Sequence, residues 1–289
     1  MRLVEGLEQG SVEWHLFRSN HIMATDSSVI AGEMIKFGRT PLKLYYEKRT
    51  GISEVKDNEN MERGRRLEPV ARDYFIAQMG FQVKPAVIES SEHTWAAASL
   101  DGIDDKRKSI VEIKIHKPEL YEKTLNGYIP EYYFPQFQKQ LYVSELDYLY
   151  YLPFSNDHGH IVKIYRDQEF IKKMIAAEKE FWQRIQNFNP PDTCDKDFKE
   201  IIDDYFLSKA QKYLQIKGDL NWLENEMEAI KTELITYAEE ENIRCDFLKI
   251  QKVIRRGNVD YKYIPELQGI DLEKYRRSPS EYFLIKESI

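Results

Sequence analysis

Two short strand patterns between residues 99 and 115 constrain the fold of this chain more than any other feature. Val111-Glu112-Ile113-Lys114-Ile115 alternates apolar and charged residues, so in a strand Glu112 and Lys114 point to one face and the apolar residues to the other. Asp101 would reach Glu112 from the preceding strand, across the turn that joins the two. Converging carboxylates provide the hard oxygen ligands that suit Mg²⁺. The pattern therefore predicts a β-sheet that carries a metal site.

The same alternation also has an ordinary explanation. Alternating apolar and charged residues describe any hairpin with one face in solvent, and Asp101-Gly102 is a common turn dipeptide. Taken alone, the pattern leaves two interpretations open, a metal-dependent phosphodiesterase and a half-exposed hairpin.

The composition is that of a globular protein and does not select a function. The chain has 289 residues, 42% hydrophobic and 13% aromatic, enough for one large core or two unequal ones. Its formal net charge of −7 argues against nucleic-acid binding, because phosphate contacts provide most non-specific affinity. A basic channel can nevertheless coexist with acidic residues elsewhere. Three basic clusters lie near the proposed site in sequence: Arg63, Arg65 and Arg66; Lys106, Arg107 and Lys108; Lys114 and Lys117.

The spacing of the two cysteines argues against several classes of site. Cys194 and Cys245 lie far apart and outside any Cys-x-x-Cys motif, so they indicate neither a disulfide framework nor a structural zinc site. Two cysteines also fall short of the four thiolates of a typical iron–sulfur cluster.

Residues 1–10 lack the basic start and apolar core of a secretory signal, and no stretch is apolar enough to span a membrane. We therefore expect a cytoplasmic protein without a membrane segment.

Hydrophobic periodicity predicts helices first, then strands, then helices again. The predicted helices cover 11–18, a turn at 25–28, 41–49, 61–80, 130–144 and 168–188, with Pro69 in the first turn of its helix or at a kink. The predicted strands cover 81–89, 94–103, 109–115, 147–154 and 159–165. This order favours an α/β fold with a mixed central sheet flanked by helices.

The segment Asn187-Phe188-Asn189-Pro190-Pro191-Asp192 ends the last of these helices and marks the best domain boundary. We expect a core over 1–190 and a mainly helical extension over 191–289. Apolar residues recur at a period near 3.5 between 214 and 237, which fits a long helix or a helical hairpin packed against the main domain. A small β-hairpin is predicted over 250–263. The tail could brace the core, extend a DNA channel or dock a partner.

Six motifs occur in the order and spacing of one known family, and they cover about residues 7–188. They are Gly10-Ser11-Val12-Glu13-Trp14 with Arg18, Ile22-Met23-Ala24-Thr25, Gly64-Arg65-Arg66-Leu67-Glu68, Ser99-Leu100-Asp101-Gly102, Glu112-Ile113-Lys114 and Gln136-Phe137-Gln138-Lys139-Gln140. The chain thus resembles the YqaJ-type viral recombinases, the family of the phage lambda exonuclease within the PD-(D/E)xK nuclease superfamily. Six ordered motifs carry far more weight than any one of them. The resemblance implies a restriction-endonuclease-like core.

The resemblance assigns a metal site to four residues. Asp101 and Glu112 match the shared metal ligands, the backbone carbonyl of Ile113 adds an oxygen, and Glu68 matches a helix-borne carboxylate for a second ion. The implied cofactor is Mg²⁺, with two ions bound and Mn²⁺ as a substitute. Lys114 is similar to the lysine that positions and activates the attacking water.

The resemblance also assigns Gln138 to holding the nucleophile, and Arg18, Thr25 and Ser99 to a pocket for the 5′-terminal phosphate. In that pocket the arginine supplies a bidentate cationic fork and the two hydroxyls donate hydrogen bonds. Two positions depart from the family pattern. Thr25 stands where serine is usual, which keeps the hydroxyl, and Leu100 replaces a proline that is not a ligand.

The implied function is Mg²⁺-dependent 5′-to-3′ degradation of one strand of double-stranded DNA, leaving a 3′ overhang for phage-type recombination. The implied partners are duplex DNA ends, a single-strand annealing protein and two further copies of the chain in a homotrimer. Two alternatives stay open: an endonuclease on the same fold, and a non-catalytic scaffold that binds DNA ends.

Overall fold

The computed structural model describes residues 1–7, 10–52, 58–106, 108–239, 241–254, 264 and 270. The chain divides into two compact units, Met1–Lys199 and Glu200–Ile289. The boundary thus falls later than the one expected after residue 190.

Contacts of the residues that follow the double proline explain the later boundary. Lys43 Nζ donates a hydrogen bond to the carbonyl oxygen of Lys196 over 2.8 Å. The hydroxyl of Thr40, which is fully buried, donates to the carboxylate of Asp197. These bonds attach the segment before residue 200 to the first unit.

The first unit contains seven of the eight described α-helices and seven of the nine described strands. The helices are α1 (Val12–Ser19), α2 (Ala24–Ile30), α3 (Pro41–Thr50), α4 (Glu59–Met79), α5 (Pro118–Leu125), α6 (Phe134–Ser144) and α7 (Gln168–Gln186). The strands are β1 (Arg2–Val4), β2 (Val83–Glu89), β3 (Ala97–Asp104), β4 (Ile110–Ile115), β5 (Tyr148–Ser155), β6 (His158–Gly159) and β7 (Val162–Tyr165).

These strands form one mixed sheet in the order β1-β2-β3-β4-β5-β6, with β7 also paired to β5. All neighbours are antiparallel except β4 and β5, which run parallel in register from Val111 opposite Tyr150 to Ile115 opposite Phe154. A parallel pair needs a long crossover, and α5 and α6 provide it. The predicted α/β fold with a mixed central sheet flanked by helices is confirmed.

Helices cover both faces of this sheet. Phe137 and Leu141 of α6 pack on one face in the larger apolar cluster, together with residues of α2 and α7. Ala71 and Phe75 of α4 pack on the other face, against Val111 and other apolar residues of β4 and β5. The charged face of β4 therefore lies towards α6, and its apolar face lies towards α4.

Helix boundaries follow local capping chemistry. The side chain of Asn58 accepts hydrogen bonds from the backbone of Asn60 and Met61, which starts α4 two residues before the predicted start. Gly80, with φ +73°, ends α4 in a left-handed conformation that glycine adopts freely. Pro69 lies inside α4, so of the two alternatives for this residue the first-turn placement was wrong. Helix α5 and strand β1 were not predicted.

The second unit contains α8 (Asp204–Tyr237) and the two-stranded hairpin of β8 (Ile243–Arg244) and β9 (Lys249–Ile250). Of the two predicted arrangements for this region, the single long helix is the one observed. The described hairpin precedes the one predicted over 250–263, of which residues 255–263 lie outside the described part of the chain.

Candidate active site

The site lies where β3 and β4 separate. The two strands pair only at Gly102 with Val111 and Ile103 with Ile110. Beyond this pairing, a carboxylate oxygen of Asp101 accepts a hydrogen bond of 2.7 Å from the backbone N–H of Ile113. The side chain of Asp101 thus replaces strand pairing at this point and is brought next to Glu112.

Glu112 is the centre of a hydrogen-bonded cluster and is almost fully buried. Its Oε1 lies 2.5 Å from the ammonium of Lys114 and accepts a hydrogen bond of 2.6 Å from the amide of Gln136. Its other oxygen accepts a hydrogen bond of 2.5 Å from the amide of Gln140. Lys114 in turn donates to Gln136 over 3.1 Å. The side-chain orientations of Glu112 and Lys114 are therefore fixed by α6.

Gln138 does not belong to this cluster, which corrects the sequence-based assignment. Its amide donates to the carbonyl of Tyr165 over 2.9 Å and its oxygen accepts from the backbone of Asp167 over 2.8 Å. Residues 136 and 140 share a helix face because they are four apart, and residue 138 points away from that face. The repeat Gln136-x-x-x-Gln140 was the sequence signal that could have identified the correct pair.

Glu68 on α4 faces the same cluster from the other side. Its carboxylate pairs with Arg72 one helical turn later, and the Arg72 Nε also donates to the backbone carbonyl of Asp101 over 2.6 Å. Arg72 therefore links the two acidic residues and holds α4 against β3. Arg72 was not among the site residues expected from the sequence.

The electrostatics of the site are those of crowded carboxylates. Burial, followed by repulsion from Glu112 and Glu68, raises the pKa of Asp101 well above its usual range. Burial also raises the pKa of Glu68, with Glu112 adding to the effect and Arg72 opposing it. For Lys114, burial acts to lower the pKa, but Glu112, Tyr133 and Asp101 together outweigh it and the pKa is raised. Lys114 therefore stays protonated beside the acidic side chains of Glu112 and Asp101.

Whether a divalent cation fits here depends on the acidic side chains of the site. Within the residues that the structure describes, no three acidic, histidine or cysteine side chains converge closely enough to form a ready-made metal cage. The donor set nevertheless suits Mg²⁺, since Glu68, Asp101 and Glu112 are hard oxygen ligands whose mutual repulsion a cation would relieve. On this chemical ground the residues fit a divalent cation.

Arg18 and Thr25 also meet, as the sequence predicted. An Arg18 Nη donates to the Thr25 hydroxyl over 3.1 Å, and the guanidinium lies 4.6 Å from the centre of the Trp14 ring. The ammonium of Lys48 bonds both the backbone carbonyl of Arg18 and the carboxylate of Asp26, each at 2.6 Å. The polar end of α2 is thereby fixed next to α1.

Ser99 is the third residue of the predicted phosphate pocket. Its hydroxyl oxygen is buried and has no hydrogen-bond partner among the described residues. No hydrogen bond joins it to Arg18 or Thr25 within the described structure, but a parallel bridge between Ile22 and Ala96 links the start of α2 to β3. A buried hydroxyl without a partner is costly unless something else bonds it.

A basic groove lies beside Lys114. Its volume is about 420 Å³, and it is lined by Asn60, Arg63, Ile115, His116, Lys117, Glu119, Leu120, Lys123 and Tyr133. Tyr133 connects it to the site, because the ammonium of Lys114 lies 5.0 Å from the centre of that ring. Three basic side chains against one acidic side chain give the groove an excess of positive charge.

Solved structures of other proteins share this fold. The fold and the site define an α/β protein of the alkaline exonuclease fold. The alkaline exonuclease LHK-Exo from Laribacter hongkongensis aligns with a TM-score of 0.54 and 21% identity, over 70% of this chain and 100% of that one. Its complex with dAMP aligns similarly, with a TM-score of 0.55 and 20% identity.

The family model of the YqaJ-like viral recombinase domain matches residues 13–147, which carry Arg18, Glu68, Asp101, Glu112 and Lys114. Residues 13–147 are therefore similar to the YqaJ-like viral recombinase domain. This confirms the resemblance seen in the sequence motifs.

Two curated relatives extend the comparison. The uncharacterized protein YqaJ of Bacillus subtilis is 28% identical over 187 residues, which cover 62% of this chain and 58% of that protein. The uncharacterized protein R354 of Acanthamoeba polyphaga mimivirus is 27% identical over 161 residues, or 29% of its length. The chain thus spans 58% of the length of the first relative and 29% of the length of the second. Among its own described helices, none is both long and apolar enough to cross a membrane.

Proposed function

We propose that this chain is a divalent-metal-dependent exonuclease that degrades one strand of double-stranded DNA from its 5′ end and leaves a 3′ overhang. The observation that carries the proposal is the cluster of Asp101, Glu112 and Lys114 at the point where β3 and β4 separate. The similarity of residues 13–147 to the recombinase domain and the alkaline exonuclease fold support the same class of reaction.

Glu68, Asp101, Glu112 and the backbone carbonyl of Ile113 would hold the cation, with Mg²⁺ as the proposed ion, two ions per site and Mn²⁺ as a substitute. A bound divalent cation supplies Lewis-acid stabilisation of the charge that develops on a phosphodiester during in-line attack. The raised pKa of Asp101 supports this assignment, since it reports negative charge that lacks compensation.

Lys114 contributes positive charge and orientation rather than proton abstraction. Its raised pKa keeps the ammonium charged, so it cannot serve as a general base near neutral pH. An ammonium held by Glu112 and Gln136 can instead donate a hydrogen bond to the attacking water or to a phosphate oxygen. Because its position is fixed before substrate binds, little reorganisation is needed during the reaction.

Selection of the 5′ end is assigned to Arg18, Thr25 and Ser99. The guanidinium of Arg18 is held over Trp14 and bonded to Thr25, and a planar fork of this kind suits a terminal phosphate. The buried hydroxyl of Ser99, which lacks a partner among the described residues, would be satisfied by the same phosphate.

The assignment is tested with matched DNA substrates in the presence of Mg²⁺. A linear duplex with 5′ phosphates should be resected to single strands, and a closed circle of the same sequence should stay intact. Rapid cutting of the circle would instead indicate the alternative endonuclease. Tight binding of duplex ends without hydrolysis in Mg²⁺ or Mn²⁺ would support the non-catalytic scaffold and overturn the proposal.

The 5′-phosphate pocket is tested separately with Arg18→Ala. We expect the variant to lose the preference for phosphorylated over hydroxyl 5′ ends, while its Mg²⁺ dependence stays that of the wild type. Arg184→Ala is the matched control, because among the described residues the Arg184 side chain pairs with Glu180 at the surface. An Arg18→Ala enzyme that keeps the wild-type end preference would rule out this pocket.

The proposal extends to a homotrimer and to a single-strand annealing protein as partner, both on the basis of the family resemblance. Sedimentation of the full chain with and without duplex DNA tests the assembly. A nuclease unit that is active as a monomer would contradict the trimer.

A further inference from the structure

Helix α8 presents a continuous apolar stripe to solvent. The helix is 34 residues long, all of them described, and none is buried. Eight large residues form the stripe, each between 37% and 81% exposed: Tyr213, Ile216, Leu220, Leu223, Met227, Ile230, Leu234 and Tyr237. Contiguous exposed apolar surface of this extent marks an interaction site.

The spacing along the stripe identifies the kind of surface that fits it. Successive members are three and four residues apart in strict alternation from Tyr213 to Tyr237, the heptad spacing with core positions a and d. A helix that follows a 3.5-residue period keeps its stripe facing another supercoiled helix. The partner implied by the spacing is therefore a helix of comparable length and similar pattern.

We propose that the stripe pairs with the α8 of a second copy of this chain, in antiparallel orientation and over the full length of the helix. In this register Leu220 packs against Leu223 of the second copy, and Tyr213 packs against Ile230. The charged residues that flank the stripe, at heptad positions e and g, decide between the two possible orientations.

In a parallel pair, Lys212 of one copy lies opposite Lys217 of the other, and Asp219 lies opposite Glu224. The third contact joins opposite charges, Glu226 and Lys231. Two of these three contacts are repulsive.

In the full-length antiparallel pair, Lys212 meets Glu233, Lys217 meets Glu224, and Asp219 meets Glu226. Two of these three contacts are attractive. Opposite charges at these positions set the orientation of helix pairs. The charge pattern therefore favours the antiparallel pair of α8 helices. This contact is separate from the one that would hold three copies in the proposed homotrimer, so α8 would join copies from two such trimers.

Disulfide trapping in the full chain tests the orientation. Both native cysteines are free, so the background is Cys194→Ser with Cys245→Ser. Adding Tyr213→Cys and Ile230→Cys together should give a covalent dimer under mild oxidation. Tyr213→Cys alone should not, because the two copies of residue 213 lie about 25 Å apart in the antiparallel pair. Dimers from Tyr213→Cys alone would overturn the antiparallel orientation, and no dimers from either variant would overturn the pairing.

Solution mass and a charge swap test the interface itself. Leu220→Lys with Leu223→Lys should lower the mass of the full chain at least twofold, whereas the matched control Asn225→Lys with Thr232→Lys, on the opposite face, should not. Lys212→Glu should weaken association about tenfold, and adding Glu233→Lys should restore it. Equal masses for all variants, as expected if the first unit or another part of the same chain covered the stripe, would overturn the proposal.

Discussion

The first unit and helix α8 depart from the usual rule of burial in opposite ways. In the first unit, Glu112 and the Lys139–Glu178 pair are charged and almost or completely inaccessible to solvent. In α8, the eight large apolar residues of the stripe are exposed. Buried charges need partners, and exposed apolar surface needs cover. Glu112, Lys139 and Glu178 have their partners within one chain, whereas the exposed stripe of α8 points to a contact with a second one.

The largest expected effect concerns Asp101, where function and stability should separate. Asp101→Asn should lower DNA hydrolysis at least about 1000-fold, because it removes a carboxylate ligand of the proposed metal site. The melting temperature should stay unchanged or rise, since burial and neighbouring acids already disfavour the charged form of Asp101. Hydrolysis and thermal unfolding are measured on the same preparation. An active Asp101→Asn variant would exclude Asp101 from the proposed metal site.

The second prediction compares a buried ion pair with an exposed one. Lys139→Met should lower the free energy of unfolding by about 3 to 5 kcal/mol, because Glu178 is left fully buried with only Ser27 as a hydrogen-bond donor. Lys231→Met, which breaks an exposed pair with Glu228 on α8, should cost less than about 1 kcal/mol. Denaturant unfolding measures both values.

The double variant Lys139→Met with Glu178→Leu is the control for this comparison. It should recover much of the lost stability, because neither partner is then left as an unpaired buried charge. Equal costs for Lys139→Met and Lys231→Met would contradict the comparison.

The third prediction is a pH dependence that originates at His116. Burial, with a smaller contribution from Lys114, lowers the pKa of His116 to about 4. The unfolded chain therefore binds more protons at this residue between pH 6.5 and 4, and stability is lost as the pH falls through that window. The total is up to about 3 kcal/mol.

His116→Gln should remove this part of the pH dependence while keeping a polar partner for the Tyr151 hydroxyl, which lies 2.7 Å from the imidazole. Tyr133 and the Arg63 guanidinium also contact His116 and stay unchanged in the variant. Urea unfolding at several pH values measures the slope. The same slope in both proteins would show that another group causes it.

The smallest predicted effect distinguishes the glutamines of α6. Gln136→Ala should lower kcat about tenfold with little change in stability, because Gln136 bonds both Glu112 and Lys114. Gln138→Ala should instead lower stability by about 1 to 2 kcal/mol, since it loses two bonds to the backbone near β7. Reversed effects would restore Gln138 to the site and remove Gln136.

Most of the fold was readable from the sequence because strong local signals agree with the tertiary structure. The alternation in β4 and the caps of α3 and α4 are properties of a few neighbouring residues. Strand β1 and helix α5 were missed because the three residues of β1 depend on pairing with β2, and α5 is a short crossover segment. In the same way, the repeat Gln136-x-x-x-Gln140 acquires its role only where α6 meets Glu112.

The sequence by itself determined the α/β class, the ordered motifs that resemble the YqaJ-type family and the heptad stripe of α8, since each depends on local spacing and residue type. Only the tertiary structure decided which side chains meet. It placed Asp101 where β3 and β4 separate, exchanged Gln138 for Gln136 and Gln140, and added Arg72 to the acidic cluster. The physical reason is that helix rotation and strand separation are set by packing between distant segments, and the pattern within one segment does not encode them.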